Sequence, residues 1–93
     1  MRESTVENYL RVKVEAMGGW ALKIPAIHHA GIPDRIILLP GGRVFFAETK
    51  CKGKEPRKLQ LLVHRKLRRM GFRVEVIDNN EQTKEILKEY DAN

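Results

Sequence analysis

The segment from Arg35 to Lys50 constrains the fold of this chain more than any other. Arg35–Leu39 is rich in isoleucine and leucine and too short for a helix. Pro40-Gly41-Gly42 is a turn signal, and Arg43–Lys50 resumes an extended pattern through Val44, Phe45 and Phe46. Two such runs joined by so short a turn form an antiparallel hairpin. If the loop has three residues, Leu39 pairs with Arg43, and the same register carried outward sets Asp34 opposite Glu48. Directly opposed residues hold their Cβ atoms about 4.5–5.5 Å apart. Lys50, two residues beyond Glu48, falls on the same face.

Elements of matching period flank the hairpin. Residues 4–17 read as a helix, with Ser4 and Glu7 in capping-box spacing and Val6, Leu10, Val14 and Met17 on one face. Gly18-Gly19 ends it. Trp20–Ile24 reads as a strand stopped by Pro25, and Ala26–Pro33 as a loop. After a basic loop at 51–57, Leu59–Met70 reads as a helix. Its apolar face is Leu59, Leu62, Val63, Leu67 and Met70; Arg65, Arg68 and Arg69 lie opposite, with His64 a surface contact. Phe72–Ile77 reads as a fourth strand. Asn79 or Asn80 caps a last helix of about ten residues that turns Ile86, Leu87 and Tyr90 inward. The order is α-β-β-β-α-β-α, and 93 residues suit one domain spanning 1–93.

Two carboxylates that converge repel each other unless a proton or a cation lies between them. Asp34 and Glu48 are such a pair, and oxygen ligands without a Cys or His cage favour Mg²⁺ or Mn²⁺. Lys50 adds a positive charge to the same face. Charge along the chain points the same way. The net charge is +6, yet residues 50–73 hold ten cations against Glu55 alone, so the remainder is mildly acidic. A concentrated basic stretch suits a phosphate backbone. Aromatic residues make up only 6% of the chain, which argues against a base-stacking platform for single strands.

Other classes fall away. One cysteine, Cys51, excludes an internal disulfide framework. The first residues lack the apolar core of a signal peptide, and no apolar run approaches the ~20 residues of a membrane span. The expectation is a soluble cytoplasmic protein. His28-His29 has no partner pair at zinc-ligand spacing and reads as loop residues, with phosphate contact the most they offer.

Pro-Asp, a hairpin and then Glu-x-Lys together resemble the PD-(D/E)xK nucleases. The fuller set is Gly31-Ile32-Pro33-Asp34, Gly41-Gly42-Arg43-Val44, Glu48-Thr49-Lys50, Gln60 and Gly71-Phe72-Arg73-Val74. It is similar to the VRR-Nuc (virus-type replication-repair nuclease) group in its short stand-alone form, from about Glu7 to Ile77. The resemblance implies an α/β restriction-endonuclease-like core, a small mixed sheet flanked by helices. It implies metal ligation by Asp34, Glu48, the Thr49 backbone carbonyl and Glu7. The catalytic set it implies is Asp34, Glu48, Lys50 and Gln60, with Lys50 orienting water or stabilising charge on the phosphate. For Glu7 the capping role with Ser4 stands beside the metal role; for Gln60 a local backbone cap stands beside the site role.

Lys52, Lys54, Arg57, Lys58, Arg65, Arg68 and Arg69 are the expected DNA contacts. The expected activity is Mg²⁺- or Mn²⁺-dependent endonucleolytic cleavage of DNA. Stand-alone members of the group resemble junction-resolving enzymes, which implies branched DNA such as four-way junctions as substrate and a homodimer as the working form. The alternative is a basic nucleic-acid-binding protein without catalysis, in which Asp34, Glu48 and Lys50 are an inert surface cluster.

Overall fold

Gly41 and Gly42 both adopt positive φ, +86° and +73°, a conformation that disfavours any side chain at the tip of a three-residue loop. The register follows from it: Leu39 pairs with Arg43 and Arg35 with Ala47. In the computed structural model, which describes residues 2–25, 27, 29–51 and 53–91, this hairpin is the centre of the sheet. The elements are α1 (Glu3–Ala16), β1 (Trp20–Lys23), β2 (Arg35–Leu39), β3 (Arg43–Thr49), α2 (Lys58–Arg69), β4 (Val74–Ile77) and α3 (Asn80–Asp91). The strands lie in the order β1-β2-β3-β4. The first three are antiparallel, and β4 runs parallel to β3. A parallel neighbour requires a crossover, and α2 supplies it.

The pleat of β3 divides the molecule into layers. Phe45 and Ala47 point into a core with Val6, Leu10 and Val14 of α1 and Ile86 and Leu87 of α3. Tyr90 stacks on Phe45 at 5.4 Å between ring centres. Phe46 points the opposite way, into a smaller cluster with Ile32, Val63, Leu67 and Val74 under α2. Gly31 lets the loop before β2 press on this helix. Its φ is +86°, and a Cβ there would come within 2.8 Å of the Leu59 carbonyl oxygen and 2.9 Å of the Val63 side chain.

Three local expectations are corrected. α1 begins at Glu3 with Arg2 as its N-cap, so Ser4 lies within the first turn and no Ser4–Glu7 capping box forms. The reason is that Glu7 is drawn into a part-buried ion pair with Arg35, a charge-assisted bond stronger than a local cap. On α2 the buried residues are Val63, His64 and Leu67, while Leu59, Leu62 and Met70 are about half exposed. The helix is turned so that Val63 and Leu67 meet Phe46 and Val74, which places His64 inside rather than on the surface. Finally, β4 starts at Val74; Phe72 lies before it and packs edge-on against Phe46.

Asn79 does cap the last helix, its Oδ1 accepting the Gln82 N–H at 3.0 Å. Among the described residues, no helix is long and apolar enough to cross a membrane.

Candidate active site

The pleat that sends Phe46 under α2 also sends Glu48 there, two residues on. Glu48 is a buried carboxylate, only 4% exposed. Gln60, in the first turn of α2, reaches it with both ends of its amide engaged: Oε1 accepts the Arg57 backbone N–H at 2.8 Å, and Nε2 donates to Glu48 Oε2 at 3.3 Å. The two roles expected as alternatives for Gln60 therefore coexist, since the cap fixes which end of the amide faces Glu48. Lys50 lies just past β3, held by a bond from its backbone N–H to the Ile77 carbonyl, and sets Nζ 3.7 Å from Glu48 Oε2.

Asp34 lies in the bend before β2. Its carbonyl accepts the Ile24 N–H at 2.8 Å, which continues the β1–β2 pairing by one step. Its side chain is held by Thr49, which donates its backbone N–H to Oδ1 at 3.1 Å and its hydroxyl to Oδ2 at 2.6 Å. Thr49 belongs to the α1 face of β3, and α1 brings two more acids to that side. One carboxylate oxygen from each of Glu3, Glu7 and Asp34 lies within 4.8 Å of the others. Thus Asp34 gathers with acids of α1, whereas Glu48 and Lys50 sit with α2, and the cluster spans the end of the hairpin.

Electrostatics shows how little this acidic group is relieved. Burial pushes the Asp34 carboxyl upward against the two Thr49 hydrogen bonds, and the charges of Glu7 and Glu3 add to the rise. Glu48 is pushed up to about 7, first by burial and then by the charge of Asp34, despite the opposing effect of Lys50. Among the described residues, Glu48 Oε1 is buried without any hydrogen-bond partner. A divalent cation suits such a site, because it favours the charged form of every carboxylate at once.

An open groove of about 370 Å³ runs beside the cluster, lined by Glu3, Lys50, Cys51, Lys54, Glu55 and Arg57. Next to Lys54, the Gly53 N–H donates to Asp78 Oδ2 at 3.1 Å and ties this loop to the end of β4. Lys54, Arg57, Lys58, Arg65 and Arg69 are all exposed. Arg68 is exposed too, but its Nη2 donates to the Val74 carbonyl at 2.7 Å and ties α2 to β4. Arg73 is engaged by Glu75 and Glu89. Lys52 and His28 lie outside the described residues; His29 is exposed.

Three residues at the site escaped sequence reasoning. Arg35 Nη2 donates to Glu7 Oε1 at 2.5 Å while Nη1 donates to the Ala21 carbonyl, so it orients the acid that α1 contributes. Its only signal was its place next to Asp34. Glu3 lies one helical turn before Glu7, a spacing that could have flagged it. His64 lies one turn after Gln60 and faces Glu48, with Nε2 3.7 Å from Oε1.

No family model matches the chain. It is 36% identical over 81 residues to "Putative nuclease p44" of Acyrthosiphon pisum secondary endosymbiont phage 1, covering 87% of each sequence. A solved structure named "VRR_NUC domain" superposes with a TM-score of 0.87 at 30% identity, over 95% of this chain and 96% of the other.

Proposed function

We propose that this chain, which belongs to the VRR-Nuc family of nucleases, is a DNA endonuclease that depends on Mg²⁺ or Mn²⁺ held at the carboxylate end of its hairpin. The observation that carries the reading is Glu48: a buried acid with one unpartnered oxygen, raised further by the charge of Asp34, and flanked by a lysine. Asp34, Glu48, the Thr49 carbonyl and Glu7 would hold the ion. Bound there, it supplies an activated water and relief of phosphate charge for phosphodiester hydrolysis.

The chain's own groups do the rest. Thr49 orients Asp34 through two donors, and Gln60 orients Glu48 through one. Lys50 sets a positive charge where negative charge develops on the scissile phosphate. Lys54 and Arg57 line the adjoining groove, and Lys58, Arg65 and Arg69 continue the basic surface along α2 to meet flanking phosphates. Contacts to phosphate carry no base sequence, so selectivity by DNA shape is favoured. We take branched DNA, four-way junctions above all, as the substrate and a homodimer as the acting species.

Cleavage assays decide the matter. With four-way junctions and linear duplexes, the wild type should cut in Mg²⁺ or Mn²⁺ and not in EDTA, and the junction should be cut faster. Glu48→Ala and Lys50→Ala should abolish cutting while binding largely survives. Cleavage in EDTA, or by Glu48→Ala, would overturn the site; equal rates on both substrates would overturn the junction preference. Sedimentation should give twice the 10.8 kDa chain mass.

A further inference from the structure

His64 is fully buried, and among the described residues neither ring nitrogen has a hydrogen-bond partner. Leaving a polar group unsatisfied in this way is destabilising, and a leucine between Val63 and Leu67 would avoid the cost. The imidazole must therefore be considered with its surroundings. Nε2 lies 3.7 Å from Glu48 Oε1, the oxygen that also lacks a partner. The other oxygen, Oε2, is the one faced by Gln60 Nε2 at 3.3 Å and Lys50 Nζ at 3.7 Å. Gln60 and His64 are four residues apart on one face of α2, so one rigid helix presents a group to each oxygen of the same carboxylate. Burial, then the charges of Arg68 and Lys50, hold the imidazole below its usual range.

We propose that His64 is a positioning residue for Glu48: Nε2–H donates to Oε1 and, with Gln60 at Oε2, fixes the plane of the carboxylate for metal ligation. The 3.7 Å gap is longer than a hydrogen bond. It closes as Glu48 takes up its ligating position. The assignment rests on the reading of Glu48 as a metal ligand and adds to it the group that holds the ligand in place. Groups that orient ligands in this way are worth roughly 10–100-fold in metal affinity when removed.

The test uses the full chain without DNA and Mn²⁺ as the probe, with affinity measured by calorimetry and folding by thermal unfolding. His64→Leu keeps the volume apolar and removes the donor; His64→Gln restores an N–H near the position of Nε2. His64→Leu should bind Mn²⁺ roughly 10–100-fold more weakly while melting no lower than the wild type, and His64→Gln should recover most of the affinity. The ring-nitrogen ¹⁵N shifts of the wild type should show the proton on Nε2. Wild-type affinity in His64→Leu, equal losses in both variants, or a proton on Nδ1 would each overturn the proposal. Should His64→Leu fail to fold, His64→Gln and the nitrogen shifts still decide. Glu48→Ala separates the two levels. If it binds Mn²⁺ like the wild type, Glu48 is no ligand and both readings fall; if it loses the ion while His64→Leu keeps it, only the role of His64 falls.

Discussion

Glu48 is held in a place that penalises its charge, which has a consequence for stability before any DNA is involved. Its folded pKa is about 7 against 4.5 for a free glutamate. Between those values the native state binds a proton that the unfolded state has released, so stability is fully present below about pH 4.5 and is lost as pH rises through 7. At 1.36 kcal/mol per pKa unit the loss is roughly 3 kcal/mol. Glu48→Gln, of the same shape and always neutral, should therefore make the metal-free protein more stable than the wild type at pH 8. The two should converge near pH 5. Denaturant unfolding at the two pH values in the presence of a chelator checks this, and a difference that does not change with pH would contradict it. Removal of the metal should cost the wild type stability at pH 8 but leave Glu48→Gln nearly unaffected, because the variant lacks a ligand carboxylate.

Among the elements, the hairpin and α2 mark the limits of what the sequence makes legible. The hairpin's register was readable because Pro40-Gly41-Gly42 leaves few loop geometries, and the register brings Asp34 and Glu48 to the same end. Helix α2 was readable as a helix but not in its rotation. Leu59, Leu62, Val63, Leu67 and the C-cap Met70 make one plausible inner face, yet among the described residues the cluster beneath the helix is Phe46 and Val74 of the sheet with Ile32 of the loop before β2, and Val63 with Leu67 fills that space. The rotation that results carries Gln60 and His64 toward Glu48. Glu7 was ambiguous because a local cap and a role at the metal centre both suited its position, and only tertiary placement brings Arg35 within 2.5 Å of it. The rotation of α2 also separates its arginines by role. Arg65→Ala should weaken DNA binding and reduce its salt dependence by about one phosphate contact, leaving the melting temperature within a degree or two. Arg68→Ala, which loses the bond to the Val74 carbonyl, should instead lower stability by about 1 kcal/mol. Titrations across a salt series and thermal melts of both variants distinguish these effects. Equal melting temperatures would remove Arg68 from the structural role.

Across the whole molecule, an excess of +6 is arranged as a basic stretch set against a cluster of acids, and the groove between them contains both signs. Without metal, a phosphate backbone entering that groove is attracted by Lys54 and Arg57 and repelled by Glu3, beyond which lie Glu7, Asp34 and Glu48. A bound divalent ion offsets much of the charge of the acidic end but leaves the basic end unchanged. Binding should therefore respond in opposite directions to two substitutions in the lining of one groove. In EDTA, Glu3→Gln should bind a four-way junction about two- to threefold more tightly than the wild type, and Lys54→Gln should bind it more weakly by a similar factor; both exposed charges act through a high-dielectric medium. In Mg²⁺, with cleavage blocked by Lys50→Ala in the background, the gain from Glu3→Gln should shrink or disappear because the ion already offsets the acids. The loss from Lys54→Gln should persist. Raising the salt concentration should compress both effects, since the Debye length falls to ~3 Å at 1 M. Fluorescence anisotropy in EDTA and in Mg²⁺ measures all four combinations. Weaker binding by both variants in EDTA would mean that the phosphate path does not pass through this groove.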